Sequence, residues 1–454
     1  MLGLIIAGLV VVWVAYMIIK KYYPQTILVV ASVVLLIAAT IIGVKGGILP
    51  AKQATGSGIL DIFHVFKVIS SSRVAGLGLT IMSIAGFASY MDYVGASKAL
   101  FAIVGTPLKK IKSPYVLLVL AFLVTQFLVL FIPSHAGLGL LLMVTMYPIL
   151  IRSGVSKMSA VGVIACCQFI DVGPGSGNAI LAANTSGLEP AVYFVKHQLP
   201  VYLPITLAVA ITHYFVQQWW DKKEGFVPGS ENPEIVVGSE EKCPPLVYAV
   251  LPILPMVFIL GFSPIFKSSV KMDVVTAMFL STIISMIFEG VRTLNLKEVF
   301  TSLKYFYEGM GKNFAAVISL IIAGEMFAMG LLKIGAVDTL IQSAQNAGLG
   351  AKPMILVVCF VIALSAFLMG SGNAAFFSFA ALAPKIATYL KIDVITLILP
   401  MQIMTSFGRV VSPITAAIIG IAGIAGVSPV QVVKRTAIPM LVAAIVNSLF
   451  VIMG

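Results

Sequence analysis

The chain has 454 residues, of which 60% are hydrophobic and only 10% charged. Soluble domains carry roughly a quarter charged residues, so a mean hydropathy of +1.08 excludes a soluble globular protein and points to a membrane. The net charge of +12 comes from Lys and Arg scattered through short loops, which orients a multispanning protein and does not form a nucleic-acid surface.

Apolar runs of about 20 residues, the length that crosses a bilayer, recur from residue 2 to 453. The first, MLGLIIAGLVVVWVAYMII, lacks a basic start and leads straight into a second run, so it reads as a retained helix and not a signal peptide. Spans of a scaffold are expected over 1–105. A re-entrant hairpin follows, with legs 114–132 and 136–151 and PSHAG (133–137) at its tip. The run 158–186 carries PGSGN (174–178) halfway across, and proline removes an amide donor there, so a broken helix is expected within 114–186. A last span over 191–217 closes the first unit, residues 1–220. Cys166, Cys167 and Cys359 lie in apolar runs and Cys243 in a polar one, with no CxxC or Cys/His spacing, so no disulfide, metal or cofactor is expected.

DKKEGFVPGSENPEIVVGSEEKCPP (221–245) is a polar, Pro- and Gly-containing linker that nearly halves the chain. Beyond it, 246–454 reads as a second unit, with scaffold spans over 246–332, a hairpin over 353–389, a broken helix over 392–425 and a last span over 434–453. The stretch 296–312 reads as an interfacial amphipathic helix, and 57–72 resembles it. The second hairpin has GSGN (370–373) at its tip, and the second broken helix contains GRVVSP (408–413).

Three landmarks make the halves a repeat: IAG at 84 and 322, Pro148 and Pro384, and GLEPAVYFVKHQLP against GVSPVQVVKRTAIP with prolines at 190 and 429, all 236 to 239 apart. With Lys20-Lys21, 108–112, Arg152, Lys157, Lys222-Lys223, 292–312 and Lys434-Arg435 placed on the cytoplasmic side, the first hairpin opens to the cytoplasm and the second to the outside. The expected fold is therefore an all-α integral membrane protein of two inverted repeats, each with five transmembrane helices plus one re-entrant hairpin. Internal duplication of this kind is a ground plan of secondary transporters.

Hairpin tips at bilayer depth must be buried in protein or line a wet cavity, because backbone groups facing lipid are too costly. Ser371 and Asn373 at one tip, and His135 at the other, are thus candidate ligand contacts, although Gly and Ser there also suit close helix packing. Arg409 lies at membrane depth, where a guanidinium is expensive and usually functional, and its natural partner is a carboxylate. Its alternative partners are Asp171, its repeat counterpart 238 residues earlier, and Glu325. Asp171 and Glu325 are candidates to carry a proton or help bind sodium, and Asn178, Asn373 and Thr405 are further coupling-ion candidates. His135 either titrates near neutral pH or satisfies backbone groups at the tip. Gln168 and Gln402 either point into the cavity or pair across helices.

GSGNAAFFSFAALAPK, TSFGRVVSPITAAIIGIAG, SPVQVVKRTAIPMLV, GLGLLLMVTMYP and GFASYMDYVGAS resemble the DcuC-type anaerobic four-carbon dicarboxylate carriers of the ion transporter superfamily. The resemblance implies a homodimer in a bacterial inner membrane, with a fixed scaffold and an elevator-type transport domain. It also implies that Ser371, Gly372 and Asn373 occupy one hairpin-tip site and Ser134 the other, with Pro174, Ser176, Ser412 and Pro413 in the broken helices. The expected activity is exchange or cation-coupled transport of succinate, fumarate or malate, with a proton or sodium ion as partner. The competing expectation is a cation/proton antiporter of the same superfamily. A membrane enzyme lacks any HExxH or Ser/His/Asp spacing to support it.

Overall fold

The computed structural model describes residues 2–43, 47–227, 244–339, 342 and 350–453. Every regular element among them is helical. Eight helices there are long and apolar enough to cross a membrane, from Pro24–Ile42 to Pro429–Met453, with shorter apolar helices between them.

The helices sort into two packed groups. In the first, Pro24–Ile42 lies on Ser319–Lys333, and Leu79–Val94 lies on Leu296–Asn313 and Val274–Thr293. Small residues permit this in a bilayer, where lipid tails offer no hydrophobic drive and close backbone approach supplies the contact. A Cβ at Gly309 would stand 2.6 Å from the carbonyl oxygen of Ala85, and one at Gly86 would stand 2.8 Å from that of Phe306. The second group holds the hairpins, the broken helices and the last span of each half. Leu199–Lys223 packs on Pro429–Met453 and on Pro114–Leu128, and Ala351–Met369 packs on Val394–Val410.

The amphipathic stretch 296–312 is not a separate helix. Leu296–Asn313 runs through a π-helical turn, Phe314–Ile318, into Ser319–Lys333. Its buried Val299, Ser302, Phe306 and Gly309 meet Leu79–Val94, so the apolar stripe serves helix packing. Gly58–Arg73 does the same through Val74–Gly78 into Leu79–Val94. These π turns begin at 74 and 314, a separation of 240 residues close to that of the sequence landmarks. Arg73, at the first turn, holds Glu325 from the other half through Nε at 2.6 Å and Nη2 at 2.8 Å. Glu325 is therefore a structural partner, and Arg73 is a buried cation that hydropathy alone passed over.

Two boundaries also shift. The first last-span helix extends to Lys223, so Asp221 belongs to it and not to the linker, whose residues 228–243 lie outside the described part. Asp221 meets Arg435 at 2.7 Å, both side chains 2% exposed, and accepts from Ser156 and Ser159. Arg435 is thus no loop charge. It joins Pro429–Met453, Leu199–Lys223 and the start of the first broken helix, where a buried ion pair survives because every partner is hydrogen-bonded.

Candidate functional site

Both broken helices are broken. The first consists of Lys157–Ala165 and Gly177–Thr185, and the second of Val394–Val410 and Ala416–Ala425. Between Ala165 and Gly177 the backbone leaves the helix and frees carbonyls that lipid could not satisfy. Side chains from four other elements take them up. Gln126 Nε2 donates to Cys166 O at 3.2 Å, His135 Nε2 to Ala165 O at 2.9 Å, and Arg409 Nη2 to Gln168 O at 2.9 Å. Asp171 O accepts from Gln198 Nε2 at 2.8 Å and from Gln402 Nε2 at 2.6 Å.

The hairpins turn at 129–134 and at Gly370-Ser371. Ser134 Oγ accepts from Gly137 N, and Ser371 Oγ accepts from Ala374 N, each at 3.1 Å. The two serines are N-caps of the return helices His135–Thr145 and Gly372–Phe379, 237 residues apart in sequence. Gly370 ends the preceding leg at φ +62°, a left-handed conformation that glycine adopts without penalty, and Ile414 leaves no room for a Cβ. Ser176 and Thr415, 239 apart, begin the second halves of the broken helices.

These four helix starts converge on one cavity of 430 Å³. It is lined by Ser134 and His135, by Ser176 and Asn178, by Gly370 to Asn373, and by Thr415 to Ala417. Helix N-termini carry unpaired N–H groups and the positive end of the dipole, so four together favour an anion. Arg409 supplies a full positive charge, with Gln168 and Asp171 beside it. The far wall comes from the first helix group, with Ser89, Asp92 and Asn313.

Arg409 is paired with Asp171, Nη2 to Oδ1 at 3.1 Å, with side-chain exposures of 7% and 4%. Asp171 also accepts at Oδ2 from Asn178 Nδ2 at 2.6 Å and from Ser406 Oγ at 3.0 Å. The guanidinium spends Nη2 on Asp171 and Gln168, while its Nε has no partner. The cavity therefore presents a cation held in place on one side and unspent on another.

A protein-family model described as "C4-dicarboxylate anaerobic carrier", DcuC, matches residues 2–454. The chain belongs to the DcuC family. A probable anaerobic C4-dicarboxylate transporter DcuC of Vibrio cholerae is 36% identical over 98% of this chain and 96% of its own length. The anaerobic C4-dicarboxylate transporter DcuC of Escherichia coli K12 is 35% identical over 98% and 95%. Among solved structures, MtrF of Neisseria gonorrhoeae superposes with a TM-score of 0.65 at 14% identity, covering 94% of this chain and 95% of that one. The YdaH transporter of Alcanivorax borkumensis gives 0.61 at 14%, covering 95% and 98%. At that identity the likeness is one of fold.

In this DcuC-family protein the cavity gathers Ser134, His135, Asp171, Ser176, Asn178, Ser371, Gly372, Asn373 and Arg409. Four expected residues stand outside its lining. Pro174 faces a small neighbouring cleft, and Ser412 Oγ donates to Phe367 O at 2.6 Å, tying the second break to the hairpin. Thr405 Oγ1 donates to Gln402 O at 2.6 Å, which removes it as an ion contact. Pro413 sits in the break and shapes the chain there. Of the glutamines, Gln168 reaches the cavity, whereas Gln402 pairs across helices with Tyr193 and Gln198. Sequence reasoning passed over Gln126, Gln198 and Thr415. Thr415 was within reach, because it lies 239 residues after Ser176; the glutamines carry no pattern that marks them.

Proposed function

We propose that this protein is a secondary carrier of four-carbon dicarboxylates, working by exchange or with a coupled cation. The convergence of four helix N-termini and Arg409 on a single cavity carries the reading, because that arrangement suits two carboxylates and little else. One carboxylate takes Arg409 at its unspent edge, and helix-terminal amides at the tips and breaks take the remaining oxygens. The names of the relatives supply the carbon number. An inverted relation of the halves is supported by hairpins and broken helices recurring in the same order about 237 to 239 residues apart. Alternating access then follows as movement of the hairpin and broken-helix group, with its bound substrate, past the first helix group.

The test is uptake of labelled succinate, fumarate and malate by purified protein in liposomes. It is run against internal dicarboxylate, a pH gradient and a sodium gradient in turn. Accumulation that depends on one of these supports the carrier, and sodium-driven proton movement with no organic anion would replace it with the antiporter. Placement in a bacterial inner membrane belongs to the same proposal.

A further inference from the structure

Three polar atoms of the cavity walls have no partner: Nδ1 of His135, Oδ1 of Asn178 and Nε of Arg409. Their residues line the cavity and are 8%, 2% and 6% exposed. The chemical sense of each atom is settled by a neighbour. Asn178 Nδ2 lies 2.6 Å from a carboxylate oxygen of Asp171, so the nitrogen is the atom on that side and Oδ1 is left as an acceptor. His135 Nε2 lies 2.9 Å from the carbonyl of Ala165, which can only accept, so the ring proton is on Nε2 and neutral Nδ1 is an acceptor. Arg409 Nε is a donor in every state. The walls therefore leave two acceptors and one donor to be satisfied.

A plain dicarboxylate dianion brings acceptors only. It answers Arg409 Nε, but it sets further oxygens in the site that holds His135 Nδ1 and Asn178 Oδ1 and leaves both unsatisfied. A site with such unpaired groups rejects the ligand that cannot fill them. A hydroxyl or ammonium on the carbon beside the bound carboxylate supplies the missing donor. The ammonium carries three hydrogens and serves both acceptors, and its charge suits a cavity whose arginine is already matched by Asp171.

We propose, resting on the dicarboxylate reading above, that the cavity selects four-carbon dicarboxylates bearing a donor at carbon 2. His135 and Asn178 are then the residues that set its specificity against succinate and fumarate. The distinction lies within the substrate class and concerns which member fits.

The experiment is titration calorimetry of the full-length protein with L-malate, L-aspartate, succinate and fumarate at pH 8. Carboxyl groups, which titrate near pH 4, are then ionised and offer no donor of their own. Malate or aspartate is expected to bind at least about tenfold tighter than succinate and fumarate, since an unmet buried acceptor has that order of effect. The better of the two tells hydroxyl from ammonium. His135→Leu is expected to bring the ratio to within about threefold, and His135→Asn, which returns an amide oxygen, to restore part of it. A purely structural histidine would weaken all four ligands alike, and that result overturns its role. Succinate binding as tightly as malate and aspartate in the unaltered protein overturns the proposal without any variant, even if both substitutions fail to fold. Absence of binding by all four ligands instead rejects the dicarboxylate reading, and this inference with it.

Discussion

Arg409 and Asp171 are a buried pair in which each residue depends on the other, and this governs how either can be probed. Removing the arginine alone leaves Asp171 buried without its cation, at a cost of about 3–5 kcal/mol. Loss of uptake in Arg409→Ala would then mix loss of the site with loss of the fold. The double substitution Arg409→Ala and Asp171→Ala leaves neither charge stranded. Both variants are expected to lose succinate uptake in liposomes, while only the single one shows a markedly lower unfolding temperature. Uptake near the normal rate in the double variant would remove the pair from the transport pathway. Asn178 and Ser406 complete the arrangement, since each gives Asp171 a donor that holds the carboxylate facing the guanidinium.

At the scale of elements, the site is made by interrupting helices. Each hairpin and each broken helix offers a fresh N-terminus, and a serine or threonine stands at every one of the four. The second tip depends on Gly370, whose left-handed backbone costs other residues about 1–2 kcal/mol and whose missing side chain admits Ile414. Gly370→Ala is expected to lower stability by at least that amount and to weaken dicarboxylate affinity, because Ser371 moves with the turn. Thermal unfolding and calorimetry on one preparation would check both, and unchanged affinity would show that the tip does not hold substrate. The first break is longer, from Cys166 to Ser176, and persists because Gln126, Gln198, Gln402 and His135 receive its carbonyls or hold its flank. Glutamine serves here because its long amide crosses from one helix to the next.

For the whole molecule, the two helix groups meet where Gly324 of Ser319–Lys333 presses on Gly372–Phe379. A Cβ at Gly324 would stand 2.6 Å from the carbonyl oxygen of Phe377, so the surfaces touch backbone to backbone. Gly324 does not line the cavity. If one group slides past the other, Gly324→Val is expected to lower maximal uptake by about tenfold or more and leave succinate affinity within about twofold. Equal losses of rate and affinity would argue against sliding at this contact.

Much of this was legible in the chain itself. Hydropathy gave the membrane and most spans, and paired Gly-Ser and Pro motifs at a constant separation gave the hairpins and breaks, because such residues in an apolar run have few other uses. Charge at membrane depth singled out Arg409 and Asp171 for the same reason. Only the tertiary structure decided which partners the charges take: Arg409 with Asp171, Glu325 with Arg73, and Arg435 with Asp221. It also decided that 296–312 is half of a longer helix and that Ser412 and Thr405 face away from the cavity. Sequence records where a polar group is buried, since burial is costly at any position. The partner that offsets the cost comes from a distant segment, and packing alone brings it within 3 Å.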